Sequence, residues 1–156
     1  MDPIKSGYQE LKTNFVLQKA KNSRGKWVID SGCSRHMTGN ASLFNKLKAK
    51  DGGNVIFGDD RKAKTIGIDD IGTQDSSLVK NVLLVDDLNY NLLSVSQLCD
   101  MGLNVMFKKF ECPFLDKNFN VLAKGKRVSD IYMLDLNNMQ NSNMICLKAV
   151  NEDAWL

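Results

Sequence analysis

Apolar residues fall in short runs along this chain, broken repeatedly by glycine or by Asn and Asp. That spacing belongs to strands and turns rather than to long helices. Trp27 to Asp30 reads as a buried strand, followed by a loop from Ser34 to Asn40. Leu43, Phe44 and Leu47 suggest a short amphipathic piece. Asn54 to Phe57 is a strand that ends at the turn signal Gly58-Asp59-Asp60. The chain returns along Lys62 to Ile71, weakened or bulged at Gly67 and Gly72. Leu78 to Val85 is the next strand, and its Val82-Leu83-Leu84-Val85 run predicts burial on both faces. After a turn at Asp86 to Tyr90, Ser94 can cap a short helix that ends with Gly102 at the C′ position. Strand resumes over Leu103 to Phe107, with a turn near Lys108 and Lys109. Phe114-Leu115 and Val121-Leu122-Ala123 form a hairpin about Asp116-Lys117-Asn118. Ile131 to Leu136 is a last strand.

The ends read differently. Residues 1–26 form a leader or linker, either helical over Tyr8 to Ala20 or disordered, and basic toward Lys26. Residues 137–156 are an Asn-rich stretch and a tail without a packing pattern. The folded body is thus expected over 27–136, a usual domain size, as a mainly-β, barrel-like domain with one short helix.

Composition narrows this only slightly. The chain has 156 residues, 43% hydrophobic and 25% charged, which are globular values. The net charge of +3 does not by itself call for nucleic acid. The basic runs Lys46 to Lys50 and Lys124 to Arg127 read as solvated faces. No apolar run reaches membrane-span length, and the first twelve residues lack the apolar core of a signal peptide. Cys33, Cys99, Cys112 and Cys146 are too irregularly spaced for a disulfide framework, so free thiols in a reducing cytoplasm are expected.

The candidate chemistry lies at Asp30-Ser31-Gly32. An acid protease holds two carboxylates about a water, close enough to share one proton. The ionised member takes a proton from the water, and the other donates to the scissile carbonyl. A buried strand running into Asp-Ser-Gly presents one such carboxylate. The Ser hydroxyl can bond across to the partner loop, and the Gly lets a backbone amide approach the carboxylate. About sixty residues later Asn91-Leu92-Leu93-Ser94 supplies an apolar pair to lie behind that loop, and the intervening hairpin has the size of a flap. The chain carries only one Asp-(Ser/Thr)-Gly.

The run Asp30-Ser31-Gly32-Cys33-Ser34-Arg35-His36-Met37-Thr38-Gly39, with Phe57-Gly58-Asp59 and Asn91 to Leu98, resembles the protease region of copia-type retrotransposon Gag-Pol polyproteins. The resemblance covers about Trp27 to Leu136. It implies a retropepsin-like closed β-barrel and a homodimeric aspartic endopeptidase, a hydrolase that processes Gag-Pol in cytoplasmic virus-like particles. By this resemblance Asp30 is catalytic, and Ser31 and Gly32 complete its loop. Phe57, Gly58, Asp59, Asp60 and Arg61 form the flap, and Leu92 and Leu93 are the apolar pair. The implied partners are a second copy of the chain and the polyprotein substrate. No cofactor, membrane or nucleic acid is expected for the domain itself. The tail would lead toward a pre-integrase segment, so the sequence reads as a piece of a larger open reading frame.

Other readings stay open. Cys33 stands where retropepsins usually have Ala, Ser94 where they usually have Gly, and the flap tip has one glycine. These departures motivate an alternative: a catalytically silent protease-like β-barrel module with a scaffold or interaction role, or a decayed copy. Cys33 and His36 could form half of a zinc site completed by Cys99 and Cys112, or a nucleophilic Cys–His pair. Against both stands a buried thiol beside a hydrogen-bonded loop histidine, the preferred reading. The acidic pairs Asp59-Asp60, Asp69-Asp70 and Asp86-Asp87 read as turn chemistry.

Overall fold

The computed structural model describes residues 25–49, 53–56, 61–72 and 77–139. Strands dominate. In chain order they are β1 (Lys26–Asp30), β2 (Met37–Thr38), β3 (Lys48–Ala49), β4 (Asn54–Ile56), β5 (Lys62–Gly72), β6 (Ser77–Val85), β7 (Leu92–Ser94), β8 (Asn104–Val105), β9 (Glu111–Leu115), β10 (Val121–Val128) and β11 (Ile131–Asp135). One α-helix, α1 (Val95–Asp100), follows β7, and short 3-10 turns lie at Ala41–Leu43 and Leu136–Met139.

The hydrogen-bonded path runs β3-β5-β6-β2-β7-β1-β11-β10-β9-β8, with β4 pairing β5 off that path. Among the described residues the path is open, with β3 and β8 at its ends, where a closed barrel was expected. Each terminal strand is only two residues long and pairs on one side alone. At the hairpin where a flap was expected, β4 pairs antiparallel with the start of β5, Asn54 with Lys64 and Ile56 with Lys62. Its tip, Phe57, Gly58, Asp59 and Asp60, lies outside the described residues, as do the leader helix and residues 140–156 of the tail, whose first three residues belong to the 3-10 turn Leu136–Met139. Arg61 is exposed just before β5.

The apolar runs explain the core. In β6, Val82, Leu83, Leu84 and Val85 are all buried. Val82 joins a large cluster with Trp27, Leu93, Leu98 and Phe114, whereas Leu83 and Val85 join Met37 in a second cluster. A strand covered on both faces needs such an unbroken apolar run. Register shifts occur between Thr65 and Gly67 and between Ile71 and Gly72, at the two glycines that predicted bulges. A further shift falls between Asp69 and Ile71. Asn81 takes φ 55 on the facing strand, and its amide donates to Asp70 Oδ1 at 2.9 Å. Asp69 Oδ2 likewise accepts the Lys46 amide at 3.0 Å. These two carboxylates therefore satisfy the backbone donors of Asn81 in β6 and of Lys46 just before β3, and they do so within a strand rather than in a turn. Asp87, with φ 61, is a turn residue as expected.

Helix α1 ends in a Schellman motif. The Gly102 amide donates to the Cys99 carbonyl at 2.9 Å and the Leu103 amide to the Leu98 carbonyl at 3.1 Å, with Gly102 at φ 89. Leu98 and Leu103 are both buried, which supplies the apolar contact that accompanies this cap. The β9–β10 hairpin turns where Asp116 predicts: its Oδ1 accepts the amides of Asn118 and Asn120 at 2.8 and 2.9 Å. Those two bonds hold the Asp116 carboxyl below its ordinary range.

Candidate active site

Strand β1 is central, lying parallel to β7 and antiparallel to β11. The parallel register sets Val28 beside Leu92, Ile29 beside Leu93 and Asp30 beside Ser94. The apolar pair therefore flanks the strand that delivers Asp30. Leu93 is fully buried with Trp27 in the main core, whereas Leu92 is half-buried. Asp30 emerges at the end of β1, half-buried, followed by exposed Ser31 and Gly32. The Gly32 amide donates to Asp30 Oδ1 at 2.7 Å, which orients the carboxylate from within its own turn. A Cβ at position 32 would sit 3.2 Å from that oxygen, tighter than ordinary van der Waals contact. Glycine keeps this approach open.

Asp30 and Ser31 line an open cleft of about 550 Å³. Tyr90 and Leu92 line it from the β7 side, and Phe107, Asp130, Ile131 and Tyr132 from the β11 side. Sequence reasoning missed this second wall. Asp130 arrives on the tight β10–β11 turn, where Ser129 takes φ 58, and nothing in its local sequence distinguishes it from an ordinary turn aspartate.

Behind the loop lies a buried polar brace. The Ser94 amide donates to His36 Nδ1 at 2.9 Å, and Ser94 Oγ donates to the Cys33 carbonyl at 2.7 Å. Ser94 Oγ also accepts the Gln97 amide at 3.2 Å as the N-cap of α1. Gln97 in turn accepts the His36 amide at 2.7 Å and donates to the Lys80 and Asn81 carbonyls at 3.3 and 3.0 Å. A second brace stands beside it: Thr38 Oγ1 donates to Asn91 Oδ1 at 2.6 Å, and Asn91 Nδ2 donates to the Lys26 carbonyl at 3.0 Å. The segment after Gly32 is thereby tied to β6, β7, α1 and the start of β1. Most of it was expected to be loop, yet Met37–Thr38 forms a strand between β6 and β7. Two residues are too short for an alternation signal, so only the tertiary pairing identifies them.

The brace assigns the chemistry of two candidates. Because a backbone amide donates to Nδ1, His36 is the neutral Nε2–H tautomer. Nε2 is buried without a hydrogen-bond partner. Burial, with the nearby Arg35 charge, lowers the His36 pKa from 6.5 to about 4. Burial, with the Asp30 charge second, pushes the Cys33 thiol up to about 12. Its Sγ faces the Asp30 carbonyl at 3.7 Å. A neutral thiol beside a neutral imidazole is not an activated nucleophile. The zinc set does not assemble either. Cys112 is buried in β9, its thiol pushed up to about 11 by desolvation, and Cys99 is exposed on α1. Among the described residues no group of three or more His, Cys, Asp or Glu is placed to hold a metal.

Similarity to known proteins agrees with the geometry at the level of the domain. Residues 27–103 match the family model described as Pol polyprotein, beta-barrel domain. The chain is 29% identical over 134 residues to the retrovirus-related Pol polyprotein from transposon TNT 1-94 of Nicotiana tabacum, a match covering 83% of this chain and 10% of that protein. It is 30% identical over 118 residues to that from transposon RE1 of Arabidopsis thaliana, covering 70% and 8%. Transposon RE2 of the same plant gives 29% over 160 residues, covering 92% and 10%. The matches thus span about a tenth of these relatives. No solved structure matches the chain significantly. From Trp27 to Leu103 this chain carries a Pol polyprotein β-barrel domain, homologous to a segment of plant retrotransposon Pol polyproteins.

Proposed function

We propose that this domain is the aspartic endopeptidase of a copia-type retrotransposon, active as a homodimer in which each chain contributes Asp30. The observation that carries the reading is the presentation of Asp30. Its carboxylate stands at the end of a central strand, is held by the Gly32 amide, and borders an open cleft. The buried brace through Ser94, His36 and Gln97 favours the same reading, because a catalytic carboxylate must be held within a fraction of an ångström. It also gives Ser94 a use that glycine could not serve. In the dimer the two Asp30 carboxylates share one proton about a water. One activates the water and the other protonates the scissile carbonyl oxygen. The substrate is the polyprotein itself, cleaved within cytoplasmic virus-like particles, and the flap from Phe57 to Arg61 closes over it.

The test is cleavage of a longer Pol polyprotein segment by purified chain at mildly acidic pH. Specific activity should rise with enzyme concentration and vanish in Asp30→Asn. An excess of the Asp30→Asn chain should inhibit wild type by forming mixed dimers with one carboxylate. Full activity in Asp30→Asn refutes the chemistry; concentration-independent activity refutes the dimer.

A further inference from the structure

The basic run from Lys124 to Arg127 is not an isolated solvated face. Strand pairing brings it against the β8–β9 connection, which is both aromatic and basic. Lys126 lies opposite Glu111 and Met133, and Arg127 lies opposite Tyr132. The Arg127 amide donates to the Phe110 carbonyl at 3.0 Å, and its guanidinium donates to the Lys109 carbonyl at 3.3 Å. One edge of the sheet therefore gathers Phe107, Phe110, Lys109, Arg127 and Tyr132, with Lys126 on the other face of the same strand end.

Two features of this edge are unusual. The first is exposed aromatic area held in place. Phe110 is 74% exposed and Phe107 45%. Phe107 meets Tyr132 edge to face at 5.0 Å, and the Tyr132 hydroxyl donates to the Lys108 carbonyl at 2.6 Å. Lys109 lies 5.1 Å from the Phe110 ring centre and Arg127 5.9 Å from that of Tyr132. The second is uncompensated positive charge. Lys108 and Lys124 share the single carboxylate of Glu111, each at 3.7 Å. Among the described residues, Lys109 and Lys126 form no salt bridge.

A ligand for this edge must offer flat apolar faces and negative charge at short, repeated spacing. Single-stranded nucleic acid does: its bases stack on aromatic rings and its phosphates pair with the flanking cations. We propose that the edge formed by the β8–β9 connection and β10 binds single-stranded nucleic acid, with bases on Phe110 and Phe107 and phosphates at Lys109, Lys126 and Arg127. Phe107 and Tyr132 also line the Asp30 cleft, so this edge adjoins the candidate active site.

The test is fluorescence anisotropy of a labelled oligouridylate of about twenty nucleotides, titrated with the full chain. With three phosphate contacts, affinity should fall about 20-fold between ~50 and ~200 mM salt. Phe110→Ala should weaken binding about tenfold without changing the salt dependence. Lys109→Ala combined with Lys126→Ala should weaken it and flatten the salt dependence by about two thirds. Phe110 and both lysines are exposed, so circular dichroism and melting should match wild type in all variants. No binding at ~50 mM salt overturns the proposal, as does affinity unchanged in Phe110→Ala. An acidic peptide of equal charge binding as tightly as the oligonucleotide also overturns it, in favour of a protein partner.

Discussion

Acidification destabilises this domain through a buried histidine, and the effect can be worked out in advance. His36 is the only histidine in the chain. Unfolded, its imidazole titrates near 6.5; folded, burial and the Arg35 charge hold it at about 4. Between those values the unfolded chain binds a proton that the folded chain does not. Stability is therefore fully present above about pH 6.5 and is lost as pH falls through the window toward about pH 4. The two values give a loss of about 2 kcal/mol at pH ~5 and about 3 kcal/mol at pH ~4. For a domain of this size that is a sizeable share of total stability. Burial is the main cause, and the Ser94 amide, which donates to Nδ1 at 2.9 Å, would face a second donor if His36 were protonated there. Urea denaturation at several pH values measures the loss directly. Proton NMR of the sole imidazole measures its titration without ambiguity. His36→Asn is the informative variant, because its side-chain oxygen can accept the Ser94 amide and does not titrate. The midpoint of wild type should fall between pH ~6.5 and ~4 more steeply than that of the variant. An imidazole titrating near 6.5 in the folded protein, or equal slopes in the two proteins, refutes the reasoning. The proposed activity would be assayed in this same acidic window, where the brace behind the Asp30 loop is eroded.

Three further outcomes follow from particular contacts. Ser94→Ala removes the cap of α1 and the bond to the Cys33 carbonyl; chemical denaturation should show a loss of about 1–3 kcal/mol. Gly39→Ala would set a Cβ against the Leu88 carbonyl, and since backbone must move to relieve it, the variant should melt at much lower temperature or fail to express as soluble protein. In thiol labelling of the native protein at pH ~8, mapped by mass spectrometry, exposed Cys99 should react well before Cys33 and Cys112, whose thiols are pushed up to about 12 and about 11. Equal rates at Cys99 and Cys33 would contradict the shielding of the Cys33 thiol.

Local information determined much of this protein. The unbroken run Val82 to Val85 specified a strand covered on both faces, because each residue had to find apolar company. Ser94 and Gly102 specified where α1 begins and ends, since a cap needs a side-chain acceptor at one end and a residue tolerant of positive φ at the other. Asp116 specified the β9–β10 turn, and Asp30-Ser31-Gly32 a carboxylate held by its own backbone. These features are written in neighbouring residues, where chemistry and spacing are visible together.

What tertiary structure alone decided is the setting of that carboxylate. Met37–Thr38 became a strand because β6 and β7 left a slot between them, not through any propensity of two residues. His36 became a neutral acceptor because an amide 58 positions away points at Nδ1. Asp69 and Asp70 became acceptors for backbone amides of Lys46 and Asn81, which no turn rule foresees. The cleft acquired its second wall, and the sheet its aromatic–basic edge, only when β10 and β11 folded back beside β1. Long-range pairing determines which side chains share a surface, and the linear order of residues does not encode those neighbours locally.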